Sequence, residues 1–236
     1  MAGLKGILFD KDGTLLDFDA TWAPATHAVL EELSAGQTKL FEAMAAACGL
    51  NLNTMQFLPG SPIIAGDTAD YAPVWADLLA CPFDTDFEMR INALYRSASL
   101  LSLKGYDDVA PAIATLAKAG YQIGMATNDA ESTARAHLRA LGVEEQFSFV
   151  AGYDSGYGAK PAPGMVLAFA DFLGVKPEQI ALIGDSTHDM DAARAAGAHA
   201  IGIARTPAAR DALNGHTDIT VTDLQGLIDE VTNRVW

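Results

Sequence analysis

The sequence predicts an α/β protein: a doubly wound parallel sheet with an all-helical segment inserted after its first strand. Short, almost continuously apolar runs alternate with alanine-rich stretches at helical spacing over most of the 236-residue chain. This pattern is typical of buried parallel strands that are joined by helices. The stretch between Phe18 and Leu100 has helical patterns and no convincing strand. We expect this insert to form a cap over the strand ends.

The predicted elements follow from short stretches of sequence. The predicted strands are KGILF (Lys5–Phe9), YQIGMAT (Tyr121–Thr127), FSFV (Phe147–Val150), IALIG (Ile180–Gly184) and AIGIA (Ala200–Ala204). The helical patterns of the insert are HAVLEELSAGQTKLFEAMAAACG, DYAPVWADLLA and DFEMRINALYRSASL, and the segment NLNTMQFLPGSPIIAGDT between the first two is predicted to be a loop. We therefore predict an α/β catalytic core of residues 1–17 and 101–236, and a helical cap domain of residues 18–100.

Composition excludes several classes of function. The net charge of −15 argues against a nucleic acid partner, because binding a phosphate backbone requires a basic face. No apolar segment approaches the ~20 residues of a membrane span, and the first apolar run is too short for a signal peptide. Cys48 and Cys81 fit no metal or disulfide pattern. We expect a cytoplasmic protein, monomeric or homodimeric, with reduced thiols.

Polar side chains follow four of the predicted strands. In chain order these groups are Asp10-Lys11-Asp12-Gly13-Thr14, Thr127-Asn128-Asp129, Lys160 in AGYDSGYGAKPAPG, and Asp185, Asp189 and Asp191 in GDSTHDMD. Because the carboxyl ends of parallel strands meet at one edge of a sheet, we expect these groups to lie in a single cleft. Asp191 falls in the first turn of the next helix, where an acidic residue stabilises the positive end of the helix dipole.

This mixture of acids and one lysine is suited to phosphoryl chemistry. Carboxylates that share a buried site repel one another unless a cation intervenes, so we expect Asp10, Asp12 and Asp185 to form a Mg²⁺ site. The metal, Lys160 and backbone amides would stabilise the oxygens of a transferring phosphoryl group. One aspartate would act as nucleophile, and a carboxyl two residues away would transfer protons.

The same residues resemble the haloacid-dehalogenase-like (HAD) hydrolases. FDKDGTLLD is similar to the first signature of that family, DxDGT, and Thr127-Asn128 is similar to the second. Lys160 in AKPAP resembles the third, and GDSTHDMDAARAAG resembles the fourth. The resemblance implies a Rossmann-like core, and the helical insert is similar to the cap of the phosphoglycolate phosphatase and β-phosphoglucomutase branch.

The resemblance also implies a role for each matched residue. These roles are Asp10 as nucleophile, Asp12 as general acid and base, Thr127 and Asn128 as phosphate ligands, and Lys160 as charge partner of nucleophile and phosphate. The implied Mg²⁺ ligands are Asp10, Asp185 and the backbone carbonyl of Asp12, with Asp189 coordinating through water or orienting Lys160. Lys11 replaces a residue that is usually apolar in the family, and we expect its ammonium at the cleft rim or in solvent.

Three functions remain open on the sequence. Asp12 argues against dehalogenation, because a departing halide needs no proton. Between residues 17 and 100 the lysines and arginines are Lys39, Arg90 and Arg96, which are few for a mutase that must hold a bisphosphate. We favour a Mg²⁺-dependent phosphatase that acts through an aspartyl-phosphate on a small phosphate ester. One candidate substrate is 2-phosphoglycolate. The alternatives are a phosphomutase of the β-phosphoglucomutase type and a non-catalytic protein that binds phosphorylated ligands.

Overall fold

The computed structural model describes residues 3–66, 68–234 and 236. The chain divides into two compact units: unit 1 comprises Met1–Leu16 with Gly105–Trp236, and unit 2 comprises Asp17–Lys104. Residues 1, 2 and 235 of the predicted core and Asp67 of the predicted loop lie outside the described residues. The assignment of a catalytic core and a cap is functional and stays a prediction.

Strands and helices alternate through unit 1, whereas unit 2 is mostly helical. The strands are β1 Gly6–Phe9, β2 Leu50–Asn51, β3 Gln56–Phe57, β4 Gln122–Ala126, β5 Phe147–Ala151, β6 Ile180–Gly184, β7 His199–Ile203 and β8 Ile219–Val221. The helices are α1 Phe18–Ser34, α2 Thr38–Ala47, α3 Pro62–Ala65, α4 Thr68–Leu78, α5 Thr85–Leu101, α6 Val109–Lys118, α7 Glu131–Ala140, α8 Gly164–Leu173, α9 Thr187–Ala196, α10 Pro207–Leu213 and α11 Leu224–Asn233. Of these elements, β2, β3 and the helices α1 to α5 belong to unit 2. Within the described residues, every helix is too short or too polar to cross a membrane.

The main sheet has the strand order β5-β4-β1-β6-β7-β8, and all its neighbouring strands are parallel. The chain runs outward from β1 in one direction and then returns to start again at β6, so the predicted doubly wound parallel sheet is confirmed. In such a sheet the crevice for ligands opens where the strand order reverses, here between β1 and β6. Strand β8 was not predicted, because three residues are too few to show a pattern.

Both faces of the sheet are covered. Along β1, Ile7 and Phe9 belong to one hydrophobic cluster, with side chains from α6, α7 and α11. Leu8 belongs to a second cluster, with side chains from α8, α9 and α10. Successive strand residues point to opposite faces, so a strand covered on both sides must be apolar throughout. This explains the continuous apolar runs of the sequence.

Unit 2 is mostly helical and has its own core, but it differs from the prediction in two places. The predicted helical pattern before Gly49 is split between α1 and α2, with Ala35 and Gly36 at φ values of 48° and 81°. The segment predicted to be a loop includes β2 and β3, which pair antiparallel. The expectation of no strand in this region is therefore wrong. Strands of two residues are too short to show a period, so the sequence pattern could not reveal them.

A tight turn after β1 brings the loop against the end of β6. The Gly13 amide donates to the Leu16 carbonyl at 2.8 Å, and Gly13 has a φ of +76°. A Cβ atom at Gly13 would overlap the carboxylate of Asp185. Glycine is required here both for the left-handed backbone and for the close approach to Asp185.

An ion pair ties three loops of unit 1 together. Arg205 donates from Nη1 to Asp108 Oδ2 at 2.7 Å and from Nη2 to Oδ1 at 2.9 Å. Arg205 Nη2 also donates to the Thr14 carbonyl at 3.1 Å, and the Leu224 amide donates to Asp108. Burial opposes the charge on Asp108, but the hydrogen bonds from Arg205 and Leu224 outweigh it and lower the pKa of Asp108.

The substitution Gly13→Ala tests the packing of the turn. A non-glycine residue at positive φ is destabilised by about 1–2 kcal/mol, and here the methyl group also displaces Asp185. The matched control is Gly197→Ala, because Gly197 has a φ of +77° and no atom lies within 4 Å of the position that its added methyl group would take. In urea unfolding, we expect Gly13→Ala to lose clearly more free energy of unfolding than Gly197→Ala. Equal losses would contradict the close approach.

The substitution Asp108→Asn tests the loop ion pair. We expect the free energy of unfolding at pH 7 to fall by about 1–2 kcal/mol. The folded pKa of Asp108 lies below its ordinary value of 3.8. The charged pair therefore contributes its full share of the free energy of unfolding above pH 3.8. This contribution is lost as the pH falls through the folded pKa of Asp108. The variant and the wild type should become equally stable in acid, whereas the exposed Asp107→Asn should change little at any pH.

Candidate active site

The carboxylate of Asp10 lies at the carboxyl end of β1 and is paired with Lys160. The Asp10 amide donates to the Ile183 carbonyl at 2.8 Å, which fixes the residue beside the end of β6. The buried Lys160 ammonium donates to Asp10 Oδ1 at 2.5 Å, to Asp189 Oδ1 at 2.6 Å and to the Ala126 carbonyl at 2.8 Å. The ends of β1 and β4 and the first turn of α9 thus meet at one ammonium group.

The loop that carries Lys160 is held by Asn128. The Asn128 side chain accepts from the Lys160 amide at 2.8 Å and donates to the Lys160 carbonyl at 2.9 Å. The peptide bond between Lys160 and Pro161 is cis. Asn128 was predicted to bind phosphate, and the observed contacts of its side chain are with the main chain of Lys160. These contacts fix the start of the Lys160 side chain against the end of β4.

Asp185 adds a third carboxylate to the two that contact this ammonium. Asp10, Asp185 and Asp189 each offer an oxygen atom, and these oxygens lie within 4.8 Å of one another. Burial and the neighbouring Asp10 and Asp189 raise the pKa of Asp185 well above its ordinary value. Burial raises the pKa of Asp10 to about 7, although Lys160 opposes the shift. Crowded carboxylate oxygens of this kind suit a hard divalent cation such as Mg²⁺, which would relieve their repulsion.

Asp189 joins the start of α9 to Lys160. Its Oδ2 accepts from the Ser186 amide at 3.2 Å and from the Ser186 hydroxyl at 2.7 Å, in a capping arrangement at the start of the helix. Its Oδ1 accepts from Lys160. Of the two roles implied for Asp189, orientation of Lys160 is the one that these contacts favour. We call Lys160, Asp10, Asp185 and Asp189 the Lys160 cluster.

Lys11 is buried and does not lie at a rim or in solvent. Its side chain is 1% exposed, and its Nζ lies 2.6 Å from Asp12 Oδ2, 3.1 Å from Asp129 Oδ2 and 3.4 Å from His137 Nδ1. The expectation of an exposed ammonium is therefore wrong. The alternation of β1 continues past its end, so Lys11 points to the face of Ile7 and Phe9, where α7 packs. We call Lys11, Asp12, Asp129 and His137 the Lys11 cluster.

The charges of the Lys11 cluster follow from its burial. Burial opposes the ammonium of Lys11, but Asp12 and Asp129 outweigh it and raise its pKa. Burial raises the pKa of Asp129 to about 6 against the effect of Lys11. Burial and the adjacent Lys11 lower the pKa of His137 to about 2. At neutral pH, Lys11 is charged and His137 is a neutral imidazole.

Thr127 follows the last residue of β4. It directly precedes Asn128, which contacts Lys160, and Asp129, which contacts Lys11. Its amide donates to the Ala151 carbonyl at 3.0 Å, which extends the pairing with β5. Its hydroxyl accepts from the Asp129 amide at 3.1 Å. The buried Thr127 hydroxyl therefore fixes the turn from which Asn128 and Asp129 project.

The structure brings the predicted site residues into these two clusters and the adjoining turn: Asp10, Asp12, Thr127, Asn128, Lys160, Asp185 and Asp189. Asp191 lies exposed on α9, outside both clusters. Asp129, His137 and Ser186 had no assigned role in the sequence. Asp129 lies in the turn that follows β4, so its position near a strand end was a usable signal. His137 and Ser186 gave no such signal, because a single histidine within a helix and a single serine before one are common in proteins.

The comparisons with known proteins agree with this geometry. The family model of the haloacid dehalogenase-like hydrolases matches residues 4–197. A phosphoglycolate phosphatase of Nitrosospira multiformis is 30% identical over 200 residues, which cover 83% of this chain and 81% of the relative. The phosphoglycolate phosphatase of Escherichia coli K12 is 26% identical over 204 residues, which cover 85% of this chain and 81% of the relative.

A solved structure shows the same fold. The HAD phosphatase from Thermococcus onnurineus superposes with a TM-score of 0.69 at 21% identity, and the match covers 99% of this chain and 100% of that one. The family model spans all four groups of residues at the strand ends, from Asp10 to Asp189. The chain therefore belongs to the haloacid dehalogenase-like hydrolase family, among its phosphatases.

Proposed function

We propose that this phosphatase is a Mg²⁺-dependent phosphomonoester hydrolase that acts through an aspartyl-phosphate on a small metabolite, with 2-phosphoglycolate as the first substrate to test. The observation that carries the proposal is the buried Lys160 ammonium between Asp10 and Asp189. It is a fixed positive charge beside a carboxylate at a strand end, and charge of this sign is complementary to a phosphoryl group.

Asp10 is proposed as the nucleophile. In the first step an Asp10 carboxylate oxygen bonds to phosphorus as the ester P–O bond breaks, and Asp12 gives its proton to the leaving oxygen. In the second step Asp12 takes a proton from water, which attacks phosphorus and releases inorganic phosphate and the Asp10 carboxylate. The ion pair with Lys160 supports the charged form of Asp10 against its burial, as a nucleophile requires.

The remaining residues are proposed as ligands and supports. Asp10, Asp185 and the backbone carbonyl of Asp12 would hold Mg²⁺, which supplies positive charge for the phosphoryl oxygens when bound. Thr127 is proposed as a phosphate ligand. For Asn128 we propose that its side chain holds Lys160 in place, since it binds the main chain of that residue on both sides.

The choice of hydrolysis over phosphoryl transfer between sugar positions rests on unit 2. The lysines and arginines between positions 17 and 100 are Lys39, Arg90 and Arg96, and all three are exposed. A mutase must retain a bisphosphate between its two steps, which calls for basic groups that are shielded from water. The choice of 2-phosphoglycolate rests on the names of the two relatives.

The substitution Asp10→Asn tests the nucleophile. We expect a folded protein without turnover of p-nitrophenyl phosphate, because the amide cannot form the acyl phosphate. The matched control is Asp191→Asn on α9, whose side chain is exposed and which should keep wild-type kcat. Rapid acid quenching of the wild type should show a mass increase of one phosphoryl group on the peptide that contains Asp10. Normal turnover by Asp10→Asn would refute the proposed nucleophile.

A panel of small phosphate esters with added Mg²⁺ tests the metal and the substrate. We expect phosphate release to stop with EDTA and to return with excess Mg²⁺. A preference for 2-phosphoglycolate of at least ~tenfold in kcat/KM, or ~1.4 kcal/mol of transition-state binding, would support that substrate. Conversion of a sugar 1-phosphate to its 6-phosphate without phosphate release would indicate a mutase, and thermal stabilisation without turnover would indicate a non-catalytic binder.

A further inference from the structure

We propose that Lys11 is a positioning residue for Asp12: its ammonium, supported by Asp129 and His137, holds the carboxyl group of Asp12 in place for proton transfer. The inference rests on the proposed function, in which Asp12 is the general acid and base. It assigns a role in the reaction to Lys11, Asp129 and His137, which the mechanism above does not otherwise use.

The contacts of Lys11 hold its ammonium from more than one side. Its Nζ lies 2.6 Å from Asp12 Oδ2, the shortest of its ion-pair distances, and 3.1 Å from Asp129 Oδ2. The other oxygen of Asp129 accepts from the Ala130 amide at 2.7 Å, so the acid behind Lys11 is itself anchored. His137 Nδ1 lies 3.4 Å from the ammonium. The Asp12 side chain, at 18% exposure, is the most accessible of the ion-paired groups.

The location of this ammonium argues for a role beyond stability. Lys11 lies on the face of the sheet where Ile7 and Phe9 pack against an apolar cluster. An apolar side chain would suit that face, and replacing buried ion pairs by apolar groups is often neutral or stabilising. A fully buried lysine aimed at a carboxyl group two residues from the nucleophile is thus better explained by what it does to that carboxyl.

The charge state of the cluster fits this role. His137 is neutral and can accept a hydrogen bond from the charged Lys11. The Lys11 ammonium contacts Asp12 Oδ2 and is itself held by Asp129 and His137. These contacts fix the orientation of the carboxyl group that transfers the proton.

The dependence of the rate on the leaving group tests the proposal. Breaking the bond to a dinitrophenolate needs little help from an acid, whereas an alkoxide must be protonated. We expect Lys11→Met to lower kcat/KM for an alkyl phosphate, such as glycerol phosphate, by at least ~tenfold. This loss is smaller than the ~10²–10⁴-fold that general acid catalysis typically contributes, because Asp12 itself is still present. For 2,4-dinitrophenyl phosphate the change should stay within ~threefold, because positioning of the acid matters little there.

Two further variants separate positioning from folding. Lys11→Met/Asp129→Asn removes the ammonium together with a carboxylate that would otherwise be buried without its cation, and it should show the same selective loss. Lys118→Met removes an exposed lysine of α6 and should leave both substrates unaffected. Thermal unfolding should show that the double variant is folded. If both Lys11 variants fail to fold, the cluster serves stability and the proposal is wrong.

The outcomes also distinguish this inference from the proposed function. An equal loss of activity on both substrates, or no loss on either, would overturn the positioning role while the active wild type supports the phosphatase. A wild type that releases no phosphate from any ester would refute the proposed function and this inference with it.

Discussion

The ammonium of Lys160 is the interaction on which the geometry of the site depends. It is buried, and its three acceptors come from the end of β1, the end of β4 and the first turn of α9. A buried charge without partners is strongly unfavourable, so these segments are stable in this arrangement only when they meet around it. The same cation allows Asp10 and Asp189 to lie close together as carboxylates. Charge balance, fold and candidate active site are therefore coupled through one side chain.

The end of β1 places charged side chains on both faces of the sheet. Asp10 and Lys11 are consecutive, and the alternation of the strand sends them to opposite faces of the sheet. Asp10 joins the Lys160 cluster on the side of α9, and Lys11 joins the cluster with His137 on the side of α7. One strand end thus supplies two separate charged groups. We propose that the first acts on phosphorus and that the second positions Asp12, which transfers the proton.

Much of the fold and of the candidate site could be predicted because both depend on local pattern. Continuous apolar runs predicted β1, β4, β5, β6 and β7, and polar residues directly after those strands predicted the site. The pairing of β2 with β3 and the strand β8 could not be predicted, because two or three residues carry no period. The burial of Lys11 had a signal in the alternation Ile7, Phe9, Lys11, which places a lysine on a covered face and so calls for a buried acid.

The sequence by itself determined which chemical groups stand at the strand ends and in what order, because strand ends and turns are local features. Only the tertiary structure decided which lysine pairs with which acids. Lys160 and Asp10 are 150 positions apart, and Lys11 and His137 are 126 apart. Such pairs depend on strand order, on helix packing and on the balance between burial and charge. These are set by the whole fold, so no short stretch of residues specifies them.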